Sequence, residues 1–294
     1  MKRIASLLLC AAFVCSAFFG CAKGEKKLNE KELFEFISYT YDSAYSFEDS
    51  VIRTYNDLCE AVVKGDKEVR MNEAVFDDTL QLFYTSFPLN YLVEGIQPTD
   101  AAFAITYKFD DHAQRSKDFI QKIHQISVQC ENENETAFAV NLYNYIASSV
   151  IPSKNSAISC YETVMTGEGT SFSYANMFEY ILQQRGINAY HILCEDENGN
   201  SAALSAAKLD GELYYFDVFK EYLDNKGKLL KYFGLTSAQL DEMGCSNTIY
   251  TNRFASDTAL DSKFEKLGKC KDWKLDKEEL LVTLDDGKVV HIAL

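Results

Sequence analysis

Apolar residues recur at every third or fourth position through most of the first 190 residues of this chain, and at about every second position in several stretches after that. The helical spacing begins near residue 27, where Leu33, Phe36, Ile37, Tyr41, Ala44 and Phe47 stand among acidic and hydroxyl residues. Ile52, Tyr55, Leu58, Cys59 and Val62 continue the face as far as Gly65-Asp66, a turn signal. Such a stretch reads either as an arm that binds a partner or as helices packed on the main body. The aromatic stripe favours packing. Residues 101–109 alternate like a strand, with Phe103, Ile105 and Tyr107 on one side. Phe119, Ile120, Ile123 and Ile126 predict a helix, residues 131–135 a polar break, residues 136–150 another helix, and residues 157–164 a short one.

The pattern sharpens at residues 167–175, Gly-Glu-Gly-Thr-Ser-Phe-Ser-Tyr-Ala. Thr170 or Ser171 can cap a helix on which Phe172, Ala175, Phe178 and Leu182 recur, and Gly186 offers its stop. Three strand-like runs follow, at residues 189–194, 203–209 and 212–218. Asn198-Gly199 and Asp210-Gly211 are the hairpin turns between them. The acidic residues around Asn198 read as a solvated turn rather than a cation site. Residues 229–235 and 237–244 read as short helices over the sheet edge, and residues 280–294 as a C-terminal hairpin, an add-on or an edge of the main sheet. Helices first and antiparallel strands afterwards predict an α+β fold.

The first 21 residues read as an address. Lys2 and Arg3 precede an apolar stretch at residues 4–19, short for a membrane span, and Phe18-Phe19-Gly20-Cys21 closes it. The arrangement resembles the bacterial lipoprotein signal, which implies that Cys21 is acylated and becomes the mature N-terminus. Phe18 and Phe19 depart from the usual residues of that signal. An ordinary cleaved signal peptide and an uncleaved anchor are the alternatives. A lipidated Cys21 places the protein on the cell membrane or the outer membrane, with the bilayer as its first partner.

Charge and cysteines narrow the chemistry. Lys plus Arg number 29 against 44 Asp plus Glu, a net charge of −15, and no basic stripe offsets it, so nucleic acid is excluded as a partner. Beyond Cys10, Cys15 and Cys21 the cysteines are Cys59, Cys130, Cys160, Cys194, Cys245 and Cys270. They are scattered without a Cys-x-x-Cys, so no zinc spacing is present; in an oxidising compartment they could pair, and otherwise they pack as small hydrophobes. His112 sits at a loop, His124 on or beside an apolar helix face, and His291 on the solvent side of a strand. No cofactor motif, metal site or phosphate loop is expected.

Four segments carry a resemblance in order and spacing: Asn141-Leu-Tyr-Asn-Tyr-Ile-Ala; residues 168–175; Phe178-x-x-Ile-Leu-x-x-Arg185-Gly186-Ile187; and Lys208-Leu209-Asp210-Gly211 through Tyr214-Tyr215-Phe216-Asp217-Val218. Together, over about residues 75–245, they resemble the bacterial transglutaminase-like domains of the papain-like superfamily. The resemblance implies an α+β core in which a cysteine-bearing helix packs on an antiparallel sheet that carries a histidine and an aspartate. Carried over position by position, the cysteine falls on Ser171, the histidine on Ala202 and the aspartate on Asp217. Only the aspartate is retained.

A serine hydroxyl is a far weaker acid than a thiol and needs an adjacent base, and the expected base position is a methyl group. The expectation is therefore a site with no catalytic residue, in which Ser171 caps its helix and Asp217 accepts a hydrogen bond from Tyr214, Tyr215 or Ser205 or faces water. The function that follows is a non-catalytic binding or scaffolding module for a peptide, protein or glycan. The alternative is a hydrolase or acyl transferase using Ser171 or a displaced Cys160/His191 pair. The expected organisation is a signal at residues 1–21, a helical N-terminal region at 22–74, the transglutaminase-like domain at 75–245, and a C-terminal extension with a β-hairpin at 246–294.

Overall fold

The computed structural model describes residues 47–100, 102–195, 201–245, 247–248 and 258–294. The signal segment with Cys21, the helical pattern before residue 47 and the Asn198-Gly199 turn lie outside them.

Helix α1, Asp49–Lys64, turns Leu58, Cys59 and Val62 into the core and stops at Gly65, whose φ of 77° suits a residue without a Cβ. Strand β1, Glu68–Val69, helix α2, Phe76–Ser86, and strands β2, Val93–Pro98, and β3, Phe103–Tyr107, follow; the strands form a small sheet in the order β1-β3-β2. Helix α3 spans His112–Gln129 and α4 spans Glu135–Ser149, the latter capped by the Asn134 side chain. A two-residue strand β4, Ile151–Pro152, runs parallel to β5, Glu168–Gly169, and between them lies α5, Cys160–Thr166. Helix α6, Ser171–Gln184, leads into the main sheet: β6, Ala189–Glu195, β7, Ser201–Leu209, and β8, Glu212–Phe216. Asp210 (φ 54°) and Gly211 (φ 88°) make the tight turn between β7 and β8. Helices α7, Val218–Asn225, and α8, Ser237–Glu242, come next. Strand β9, Asn247–Thr248, then completes an antiparallel sheet in the order β8-β7-β6-β9.

The fold is thus α+β, with a helix packed on an antiparallel sheet and helices at its N-terminal end. The sheet is buried on both faces. Ala189, Ala207, Tyr214 and Phe216 face α6 and the large core. Tyr190, Ile192, Leu204 and Ala206 face a smaller cluster closed by Leu235 and Leu240.

One expectation changes. Residues 229–235 are not a helix. Gly234 sits at φ 67°, and Tyr215 and Leu235 exchange a pair of backbone hydrogen bonds of 2.9 and 2.8 Å that tie the segment to β8. The C-terminal hairpin belongs to a separate three-stranded sheet of β10, Cys270–Asp276, β11, Glu279–Leu284, and β12, Val289–Ala293. Its Leu280, Val282 and Ile292 join the same core as α1, α4 and α6.

Candidate functional site

The start of α6 is set by Thr170. Its backbone is extended (φ −111°, ψ 172°), its hydroxyl accepts from Ser173 N–H, and Ser173 Oγ accepts from Thr170 N–H at 2.8 Å. This is a reciprocal cap in which serine replaces the usual glutamate. Gly169 keeps the approach close: a Cβ there would meet Ser173 Oγ and Tyr174 Cδ2 at 2.9 Å. Thr170 is therefore the cap. Ser171 is the first helical residue, half-buried, and does not hold the role expected of it.

Helical spacing places Phe172, Ala175, Glu179 and Gln183 on one stripe, and this stripe faces the sheet. Phe172 meets the His191 ring edge-on at 5.1 Å. The Ala175 carbonyl accepts from Ser205 Oγ at 3.1 Å. Glu179 is buried, 4% exposed, with both oxygens engaged. Its Oε2 accepts from His191 Nδ1 at 2.8 Å and its Oε1 from Gln183 Nε2 at 3.0 Å. Gln183 Nε2 also reaches the Ala189 carbonyl at 2.9 Å. Glu179 was not among the expected site residues. Its signal was an acidic residue on an otherwise sheet-facing stripe, where an apolar side chain would be ordinary.

Register decides which strand residues join this group. His191 pairs with Ser205, and Ser205 with Phe216, so all three share the face that packs on α6. Ala202 pairs with Cys194 and packs with Leu204 and Ala206 in the cluster on the other face. Its methyl group is turned away from α6, and the structure does not bring it to Ser171. The neighbouring residue Ala203 has the parity that faces the helix.

Asp217 lies at the end of β8 and caps α7, accepting from Lys220 N–H at 2.8 Å. Its backbone carbonyl accepts from Tyr143 OH at 3.2 Å. Two of the partners expected for it are engaged elsewhere: Tyr214 OH donates to Asp261, and Ser205 to Ala175. Nor does it face water. Burial pushes its carboxyl up to about 6, against the pull of the Lys220 N–H and ammonium. Glu221, one turn along α7, is also pushed up by burial and accepts from Tyr143 OH at 3.4 Å.

Cys160 opens α5 and is buried. Burial, reinforced by the charge of Glu179, pushes its thiol well above the ordinary range. It stays protonated at neutral pH, and Glu179, not Cys160, is the group held against His191 Nδ1. The other free cysteines among the described residues, Cys59, Cys130 and Cys270, are buried too, and burial raises each thiol. Cys194 and Cys245 form a disulfide between β6 and the segment after α8.

Of the remaining histidines, His112 opens α3 with its ring stacked on Tyr107 at 3.6 Å, and His291 pairs with Glu279 at 3.0 Å. Among the described residues no group of three or more His, Cys, Asp or Glu side chains could hold a metal ion, and no helix is long and apolar enough to cross a membrane.

What the helix start offers chemically is a hydroxyl at Ser171, an exposed phenyl ring at Phe172, and beside that ring an imidazole held by a buried carboxylate. No known family profile and no curated protein matches the chain. Three solved structures are similar to parts of it. One is a candidate cysteine protease from Cytophaga hutchinsonii (16% identity, 34% of this chain and 37% of the other, TM-score 0.31). The second is a TGase (11% identity, 51% and 48%, TM-score 0.31). The third is a candidate protease from Parabacteroides distasonis ATCC 8503 (15% identity, 42% and 30%, TM-score 0.26). The chain spans less than half the length of each.

Proposed function

We propose that this is an exported, lipid-anchored protein of the cell envelope whose transglutaminase-like domain has lost its nucleophile and works as a non-catalytic binding or scaffolding module for a peptide, protein or glycan. The observation that carries the reading is the first residue of α6. Ser171 stands where the resemblance puts the attacking cysteine, and neither Ala202, where it puts the histidine, nor Ala203, whose parity faces α6, carries a base. The free thiols among the described residues are buried and held protonated, so none replaces the lost nucleophile. Export draws support from the Cys194–Cys245 disulfide, since such bonds persist in oxidising compartments. Lipid anchoring rests on the Gly20-Cys21 pair that closes the apolar leader.

A second reading, a hydrolase or acyl transferase using Ser171, draws on one observation: His191 is oriented by Glu179 and lies against Phe172, the residue after Ser171. An imidazole fixed through Nδ1 by a carboxylate has the orientation of a general base. The Cys160/His191 pair is not carried further, because Cys160 is buried and protonated.

The test is turnover. The full chain is incubated with p-nitrophenyl butyrate, and separately with casein and a fluorescent amine. No turnover above the uncatalysed rate, unchanged by Ser171→Ala, is the expected outcome. Ester hydrolysis abolished by both Ser171→Ala and His191→Gln would overturn the non-catalytic reading. Mass spectrometry of the mature chain checks the anchor: a diacylated Cys21 at the N-terminus is expected, and an unmodified N-terminus or a cut elsewhere rejects it.

A further inference from the structure

Helix α7 packs against α6 close to its start. Phe219 meets Tyr174 edge-on at 5.2 Å. Tyr174 follows Ser171 by three residues, so the two stand side by side on α6. The chain enters α7 at Asp217 and leaves it through Lys226 (φ 55°) and Gly227 (φ 67°), two successive left-handed residues. Gly227 lies so near α4 that a Cβ there would collide with the Ala147 carbonyl. The helix is short and held at both ends.

Between those ends α7 is seated by acids. Asp217 and Glu221 stand one turn apart on its inner side, 9% and 0% exposed. Glu221 Oε2 accepts from Tyr143 OH of α4 at 3.4 Å and from Tyr232 N–H at 3.2 Å. Its Oε1 makes no hydrogen bond of ordinary geometry. An ionised oxygen in that state costs far more than a neutral one, and two buried carboxylates so close repel when both are charged. The nearby cation does not offset this: Lys220 Nζ pairs with Asp224 at 3.3 Å, and Asp224 adds a negative charge of its own. Lys231 contributes only a backbone N–H to Glu221. Tyr143 of α4, Tyr174 of α6, and Tyr232 and Cys270 from the segments beyond α7 are all held neutral by burial. Burial likewise raises both carboxyls, Asp217 to about 6. The seating that Asp217 supplies is fully present below pH 3.8 and is lost as pH rises through about 6.

We propose that α7 is a proton-held flap beside the Ser171 turn of α6, closed while Asp217 and Glu221 carry protons and loosened from Tyr174 once both are ionised. The flap acts on access to the start of α6, whether that site binds a ligand or turns one over.

The experiment is hydrogen exchange of the full chain at pH 5 and pH 8, read by mass spectrometry and corrected for the intrinsic rate. Protection of residues 218–226 should fall about tenfold between the two, the factor that a carboxyl released from about 6 to 3.8 imposes over that range. Helix α4 and strand β7 should keep their protection. Asp217→Asn and Glu221→Gln each retain an acceptor and should each shrink the fall, and the double variant should abolish it. Equal protection of α7 at the two pH values, a fall shared equally by α4 and β7, or a fall undiminished in the variants would overturn the proposal.

Discussion

Glu179 Oε2 and His191 Nδ1 lie 2.8 Å apart and join the middle of α6 to the middle of β6. A helix–sheet contact is ordinarily apolar, and here a carboxylate with 5% of its side chain exposed takes that place. Such a charge is tolerated because His191 and Gln183 satisfy its two oxygens. His191→Leu leaves Glu179 with Gln183 alone and should destabilise the protein by about 2 kcal/mol or more. Glu179→Leu should cost less, and the double variant less than His191→Leu by itself. Urea unfolding of the four proteins as a double-mutant cycle measures this. Equal and additive losses would mean that the pair is not coupled.

The helix start makes a sharper test of local chemistry. Thr170 holds the N-terminal cap of α6 with Ser173, whereas Ser171 sits one residue inside. Thr170→Ala should therefore cost about 1 kcal/mol, the usual loss of a cap hydroxyl. Ser171→Ala should stay within about 0.5 kcal/mol, as for a residue without such a role. Thermal unfolding of the two variants separates the assignments, and a reversed order would return the cap to Ser171.

The disulfide between Cys194 and Cys245 spans 51 residues of sequence and joins strand β6 to the end of the α8 segment inside the smaller apolar cluster. Closing a loop of that length restricts the unfolded chain by about 4 kcal/mol in the loop-entropy account, and measured losses run at about 2–4 kcal/mol. Replacing both cysteines with alanine should lower stability by that amount. The same loss should follow reduction of the wild-type protein. A protein equally stable with and without reductant would show that the bond does not form.

The backbone plan was legible in the sequence because periodicity and turn chemistry agree over long stretches. Phe172, Phe178 and Leu182 announce α6, and Asp210-Gly211 announces the β7–β8 hairpin. The site was less legible, for two reasons. The resemblance sets Ala202 only by its distance from Asp210-Gly211, and a one-position difference in a strand reverses the face. Neither Ala202 nor its neighbour Ala203 carries a polarity that betrays which side it faces. Glu179 reads from sequence as solvent-facing, as an acidic residue in a helix ordinarily does. Only the register that sets His191 opposite Ser205 shows why it is buried. Residues 229–235 misled for a related reason: their apolar spacing serves packing against β8, and Gly234 turns the chain before a helix can form.

Asp217 links that buried chemistry to pH. Burial raises its carboxyl from 3.8 to about 6, so the folded state holds its proton more tightly than the unfolded chain does. The stability this contributes is fully present below pH 3.8 and is lost as pH rises through about 6, where folding must keep a buried carboxylate ionised. Asparagine at this position preserves an acceptor for the Lys220 N–H and removes the titration. Asp217→Asn and the wild type should therefore diverge between about pH 4 and 6, with the variant the more stable above that window. The gap is at most about 3 kcal/mol for a shift of roughly two units. Glu221, also raised by burial, is one contributor to the pH dependence that remains in the variant. Urea midpoints taken from pH 4 to 8 measure the difference. Parallel curves across that range would mean that Asp217 is ionised without penalty, and that its cap on α7 outweighs its burial.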